Sequence, residues 1–161
     1  MNAGEIMDAL GGHKVTSAIF EGVYPADRVP TKFDCLPSAC VINTDPSHLP
    51  GQHWIGIYQD ESNKIEFFDS FGKSPVFHNL VSPLFVDNVV VQQDCKMQSD
   101  ISTVCGQYAM FFVYHRCSGK SFREIVNLFS KNAVSNDTMV LRFVNRVFDL
   151  KTPFLDVDFA L

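Results

Sequence analysis

The segment Cys105-Gly106-Gln107-Tyr108-Ala109-Met110-Phe111-Phe112-Val113-Tyr114 constrains this chain most. It is strongly apolar and reads as a buried helix running from about Val104 to Arg116. A cysteine at such a helix start sits where backbone N–H groups converge and the macrodipole is positive, which favours its thiolate. Gln98 lies seven residues upstream of Cys105 and carries an amide able to donate to an oxyanion beside that sulfur. Two further parts of a thiol-based catalyst occur earlier. His53 stands in Gly51-Gln52-His53-Trp54, and Asp69 in Phe67-Phe68-Asp69-Ser70-Phe71-Gly72.

Bulk properties bound the remaining choices. A length of 161 residues predicts a single domain over 1–161 with room for a core, and 46% hydrophobic residues argue against disorder. No apolar run reaches the eighteen or so residues of a membrane span. The N-terminus lacks the charged-then-apolar pattern of a secretory signal, so no membrane partner and no secretion are expected. A net charge of −5 lacks the basic footprint of a nucleic-acid binder. The five cysteines (35, 40, 95, 105 and 117) are odd in number and irregularly spaced, which favours reduced thiols over a disulfide framework. Cys35, Cys40, His115 and Cys117 fit no common zinc spacing, and no metal or cofactor is expected.

Along the chain, residues 3–10 predict a short amphipathic helix ending at Gly11-Gly12. Residues 20–37, with Pro25, Pro30 and Pro37, read as loop. Strands are predicted at 39–43, 53–58, 64–68 and 88–92, the middle two joined as a hairpin by the turn at 60–63. Residues 75–85 read as irregular or as a helix cut by Pro83. Ser118-Gly119-Lys120 stops the buried helix. Ser121 and Glu124 form a capping-box signature for a helix toward Asn132, and Asn136 or Asp137 caps a last one carrying Val140, Val144 and Val147. Strands gathered centrally with helices around them predict an α+β domain.

A cysteine nucleophile needs a base for its proton, a group to orient that base, and donors for the tetrahedral oxyanion. Sixteen residues separate His53 from Asp69, with the turn near their midpoint, so a hairpin brings them to the same end of neighbouring strands. His53 then serves as base and later as acid, Asp69 orients it, and Gln98 with the Cys105 N–H forms the oxyanion hole. Each residue alone has an ordinary structural role, and their joint order and spacing carry the reading. His13, His48 and His78 are expected to have no chemical role. The tail 154–159 either docks on a partner or packs on its own domain.

The order His53, Asp69, Gln98, Cys105 resembles that of the adenovirus-type endopeptidases (adenain), relatives of the proteases that process ubiquitin-like modifiers. Val41 through Trp54 is similar to the adenain region around its catalytic histidine. Phe68 through Gly72 is similar to the acid-bearing strand end, and Gln98 through Gly106 to the oxyanion and nucleophile segment. Phe20 through Pro25 is similar to the N-terminal region, and the resemblance runs from about residue 5 to 130.

This resemblance implies a papain-like, circularly permuted fold with a central, mostly antiparallel sheet flanked by helices. It implies Cys105 as nucleophile, His53 as base, Asp69 as orienting acid and Gln98 as oxyanion donor. Trp54 is implied as a wall of the substrate site, beside Gly106; a core aromatic anchoring the hairpin is the other role open to Trp54. The implied substrates are precursor capsid or virion proteins cut at glycine-containing sites, within a virion or the cytoplasm or nucleus of an infected cell. A ubiquitin-like-modifier protease and a non-catalytic peptide-binding module are the alternatives. Two family activators find little support. The acidic charge predicts absent or weak stimulation by DNA. Cys95, three residues before Gln98, does not match the cysteine that tethers an activating peptide.

Overall fold

The computed structural model describes residues 1–62 and 64–150. The tail 154–159 lies outside the described residues. The architecture is α+β: one five-stranded sheet with helices on both faces. Its strands lie in chain order: β1 (Phe20–Pro25), β2 (Ser38–Asn43), β3 (Trp54–Gln59), β4 (Lys64–Phe68) and β5 (Val89–Gln92). The expected antiparallel pairing holds at the centre, where β2, β3 and β4 run up and down. Both outer ladders, β1–β2 and β4–β5, are parallel, so the sheet is mixed.

Residues of β2 to β4 are buried on both faces because each face carries its own apolar layer. Ala39, Val41, Tyr58 and Phe68 pack toward the main core with Tyr108, Met110, Phe112 and Val113 of α3 (Cys105–Cys117). Cys40, Ile42, Ile55, Ile57, Ile65 and Phe67 face the opposite way, under Leu80, Leu84 and Phe85. The short helix α2 (Pro83–Val86) closes that second face. α1 (Ala3–Gly12), α4 (Phe122–Val126) and α5 (Ala133–Phe148) complete the main core around α3 with Ile6, Leu10, Ile125, Val140 and Val144. Close approach of α3 to the sheet needs a glycine in β3, since a Cβ at Gly56 would come within 2.6 Å of Phe112 Cδ1.

Several local expectations are corrected. Residues 20–25 form β1 rather than loop; a register irregularity between Phe20 and Gly22 breaks the alternation that reveals a strand. Pro83 does not cut a helix but begins one, with the Ser82 hydroxyl accepting from Leu84 N–H. The Ser121–Glu124 capping box is present, but α4 ends at Val126. Asn132, not Asn136 or Asp137, caps α5, its side chain accepting from Ser135 N–H. α1 runs through Gly11-Gly12 and starts with a reciprocal Asn2–Glu5 capping box. Among the described residues, no helix is long and apolar enough to cross a membrane.

Candidate active site

Cys105 is the first residue of α3, and its thiol is almost wholly buried. His53 immediately precedes β3 and Asp69 immediately follows β4. The ladder pairs Gly56 with Phe68, so His53 and Asp69 leave the same end of the hairpin as diagonal neighbours. His53 Nε2 and Asp69 Oδ1 are 2.7 Å apart. The same imidazole is hydrogen-bonded to the Cys105 sulfur. With Nε2 committed to the carboxylate, Nδ1 is the nitrogen left for the sulfur. The Phe71 ring covers His53 at 5.1 Å between centroids.

Asp69 is 1% exposed, and its charge is sustained by four donors. Oδ1 accepts from His53 and from Phe71 N–H at 2.9 Å; Oδ2 accepts from Lys73 N–H at 3.1 Å and lies 2.8 Å from His78 Nε2. The chain reverses beneath the carboxylate at Gly72 (φ 69°), where a Cβ would meet backbone atoms of Asp94 and Cys95 at 2.9 Å. Gln93 Nε2 donates to the Asp69 carbonyl.

Burial opposes charge at all three groups, and their mutual contacts outweigh it. At Asp69, the hydrogen bonds from His53 and His78, the His53 charge and the Phe71 N–H hold the carboxyl well below the usual carboxylate range. At His53, burial disfavours the cation, but Asp69 and Cys105 raise its pKa to about 9. At Cys105, burial pushes the thiol up, while His53 and the N–H groups of Trp54 and Gly106 pull it below its ordinary value. These directions together favour a thiolate–imidazolium pair.

Gln98 is buried at the same end of the sheet. Its Oε1 accepts from Ser70 Oγ at 2.6 Å, and its Nε2 donates to the Ser102 carbonyl at 3.0 Å. The Ser70 carbonyl also accepts from the N–H groups of Met97 and Gln98, at 2.8 and 3.1 Å. The residue after Asp69 therefore ties the Gln98 segment to the acid. From the other side α5 grips this segment: Asn136 Nδ2 donates to the Met97 carbonyl and Ser99 Oγ donates to Asp137, while Tyr108 Oη of α3 lies 2.8 Å from Asp137 Oδ1 and 3.1 Å from the Met97 carbonyl.

Trp54 is half-buried. It packs against the main core, and its Cδ1 lies over Gly106, 3.2 Å from where a Cβ would sit; Met1 Sδ would be 3.1 Å from the same atom. Beside Trp54 a cavity of about 220 Å³ runs along Tyr24, Asn43, Asp45, Leu49 and Gly51.

Sequence reasoning missed His78, which stands on the acid itself, and it missed Ser70, Gln93, Asn136 and Asp137 as supports. No local pattern signals His78, because the turns of residues 74–80 decide which way its ring points. His53, Asp69 and His78 present potential ligand atoms within 4.8 Å of one another, the one such grouping among the described residues. Their hydrogen bonds of 2.7 and 2.8 Å account for that clustering. Cys35, Cys40, Cys95, Cys105 and Cys117 are all free thiols.

No family model matches the chain. Among curated proteins, the African swine fever virus protein named "Cysteine protease S273R" is 30% identical over 115 residues, 60% of this chain and 40% of the relative. A second form from that virus, named "SUMO-1 cysteine protease S273R", is 29% identical over the same length. The chain thus spans about 40% of the length of the curated relatives it matches. Among solved structures, the selenomethionine crystal structure of that virus's pS273R protease aligns with 74% of this chain and 46% of its own, at 25% identity and a TM-score of 0.50. The central domain of an uncharacterized Legionella pneumophila protein, Lpg1148, shares the fold over 91% of this chain and 98% of its own, at 11% identity and a TM-score of 0.50. In sequence and in fold the chain is therefore similar to part of the African swine fever virus cysteine protease.

Proposed function

We propose that residues 1–161 act as one cysteine endopeptidase domain, with Cys105 as nucleophile, His53 as general base and acid, Asp69 as its orienting partner and Gln98 as oxyanion donor. The 2.7 Å contact of His53 with Asp69, on an imidazole that also bonds the sulfur at the head of α3, carries the proposal. The thiolate attacks the scissile carbonyl carbon, and the carbonyl π electrons move onto oxygen. The Cys105 N–H at the helix start and the second N–H of Gln98 Nε2 receive that oxyanion. Collapse breaks the C–N bond as the His53 imidazolium protonates the leaving amine. Neutral His53 then removes a proton from water, the resulting hydroxide attacks the thioester, and the carboxylic acid leaves as the thiolate re-forms. Asp69 stays ionised throughout and holds the imidazole by Nε2.

The groove beside Trp54, lined by Tyr24, Asn43, Leu49 and Gly51, suits an extended peptide with small residues at the scissile bond. Glycine-containing sites in viral structural precursors are the substrates proposed. The name "SUMO-1 cysteine protease" carried by several relatives favours a second reading, release of a ubiquitin-like modifier. Incubation with candidate structural proteins from its own source, followed by mass spectrometry of the new N-termini, tests the first. Cuts after or between glycines, absent in Cys105→Ala, are expected. Cleavage confined to modifier-terminal substrates would favour the second reading, and turnover undiminished in Cys105→Ala would end both.

A further inference from the structure

His78 belongs to a turn segment whose neighbours Val76 and Phe77 are 83% and 62% exposed. Its own ring nevertheless faces inward, with the side chain 11% exposed and Nε2 2.8 Å from Asp69 Oδ2. The backbone enforces this direction: His78 N–H and Leu80 N–H both donate to the Pro75 carbonyl, and Asn79 takes a left-handed φ of 55°. Phe77 meets the His78 ring edge-on at 5.1 Å, and the His53 ring lies 5.6 Å away. One carboxylate therefore serves two imidazoles, one on each oxygen.

We infer that His78 is a positioning residue for the proposed catalytic site: by donating from Nε2 to Asp69 Oδ2, it fixes the carboxylate plane so that Oδ1 stays aimed at His53. This inference rests on the endopeptidase reading only for its effect on turnover. His78 acts through Asp69 rather than on the sulfur itself. Without it, Oδ2 would keep the Lys73 N–H at 3.1 Å, the longest of the four bonds to this carboxylate. A buried carboxylate that loses a short donor draws in water or rotates toward it. Either movement lengthens the His53–Asp69 contact on which the imidazole's direction depends. An ionised Asp69 also requires Nε2–H on both histidines, which leaves Nδ1 of neutral His53 free to take the thiol proton.

Three variants separate the donor from the ring. His78→Phe keeps bulk and excludes water but cannot donate, His78→Gln restores an N–H donor without a ring, and His78→Ala removes both. The readouts are kcat and KM on a cleavable peptide, the iodoacetamide alkylation rate of Cys105 at neutral pH followed by mass spectrometry, and thermal melting. His78→Phe is expected to lose about tenfold in both kcat and alkylation rate with KM unchanged, the scale of one hydrogen bond to a charged group. His78→Gln is expected to recover most of that loss. His78→Phe reacting as fast as the wild type, or His78→Gln as slow as His78→Phe while both melt normally, would overturn the inference. If no peptide is cut but the alkylation pattern holds, the endopeptidase reading fails and the positioning role stands. Should His78→Ala fail to fold, the Phe and Gln pair still decides.

Discussion

The imidazole of His53 is pulled two ways, by burial that disfavours its charge and by Asp69 and Cys105, which favour it more. Because its pKa is raised from 6.5 to about 9, its contribution to stability is fully present below about pH 6.5 and lost as pH rises through about 9. Asp69, depressed from 3.8, contributes stability above about that pH, lost as pH falls. Hydrolysis should therefore decline as pH rises through about 9, where the imidazolium that protonates the leaving amine disappears. A pH profile of kcat/KM checks this, and activity still rising well beyond that point would contradict it. Cys105→Ala should abolish turnover, whereas Asp69→Asn should leave a residue of activity, since the sulfur–imidazole contact does not pass through the acid. Gln98→Ala should cost on the order of a hundredfold in kcat, typical for one oxyanion donor. At this scale the sequence was informative about which side chains meet, since the order and spacing of His53, Asp69 and Cys105 pointed to the contacts that the fold makes. His78 was illegible because its ring direction is set by the left-handed Asn79 and the shared Pro75 carbonyl.

Elements bring those residues together by how closely α3 lies on β3. Gly56→Ala would set a methyl 2.6 Å from Phe112 Cδ1 and 3.3 Å from the Ala109 carbonyl, in a core with no slack. A loss of about 1–3 kcal/mol is expected from such overpacking, measured by urea denaturation. Gly106→Ala would instead press on Trp54 and Met1 at the site, and should raise KM more than it lowers stability. The hairpin was legible because β3 and β4 are apolar runs separated by the polar turn sequence at 60–63, as was α3 from its apolar length. β1 was not, since its irregularity at Gly22 and its end at Pro25 mimic loop chemistry. The cap of α5 was misread because Asn136 and Asp137 both have cap-forming side chains but spend them on the Met97–Ser99 segment.

Across the whole molecule, the far end of α3 is fastened to the sheet by charge. Arg116 Nε lies 2.6 Å from Glu66 Oε2, and the guanidinium stacks on Tyr58 at 4.0 Å. Burial raises the Glu66 carboxyl pKa against the pull of Arg116. Arg116→Met should destabilise by about 3 kcal/mol because it strands that carboxylate, and Glu66→Gln added to it should restore part of the loss; paired denaturation curves check both. A net charge of −5 predicts little or no gain in activity on adding duplex DNA, read by peptide hydrolysis at low salt. The central claim is that a buried sulfur is the reactive one. Iodoacetamide labelling at about pH 6, read cysteine by cysteine by mass spectrometry, compares Cys105 with the exposed Cys35 and Cys95 in one sample. Cys105 should label first in the wild type and lose that lead in His53→Ala; labelling no faster than Cys35 and Cys95 would contradict the account.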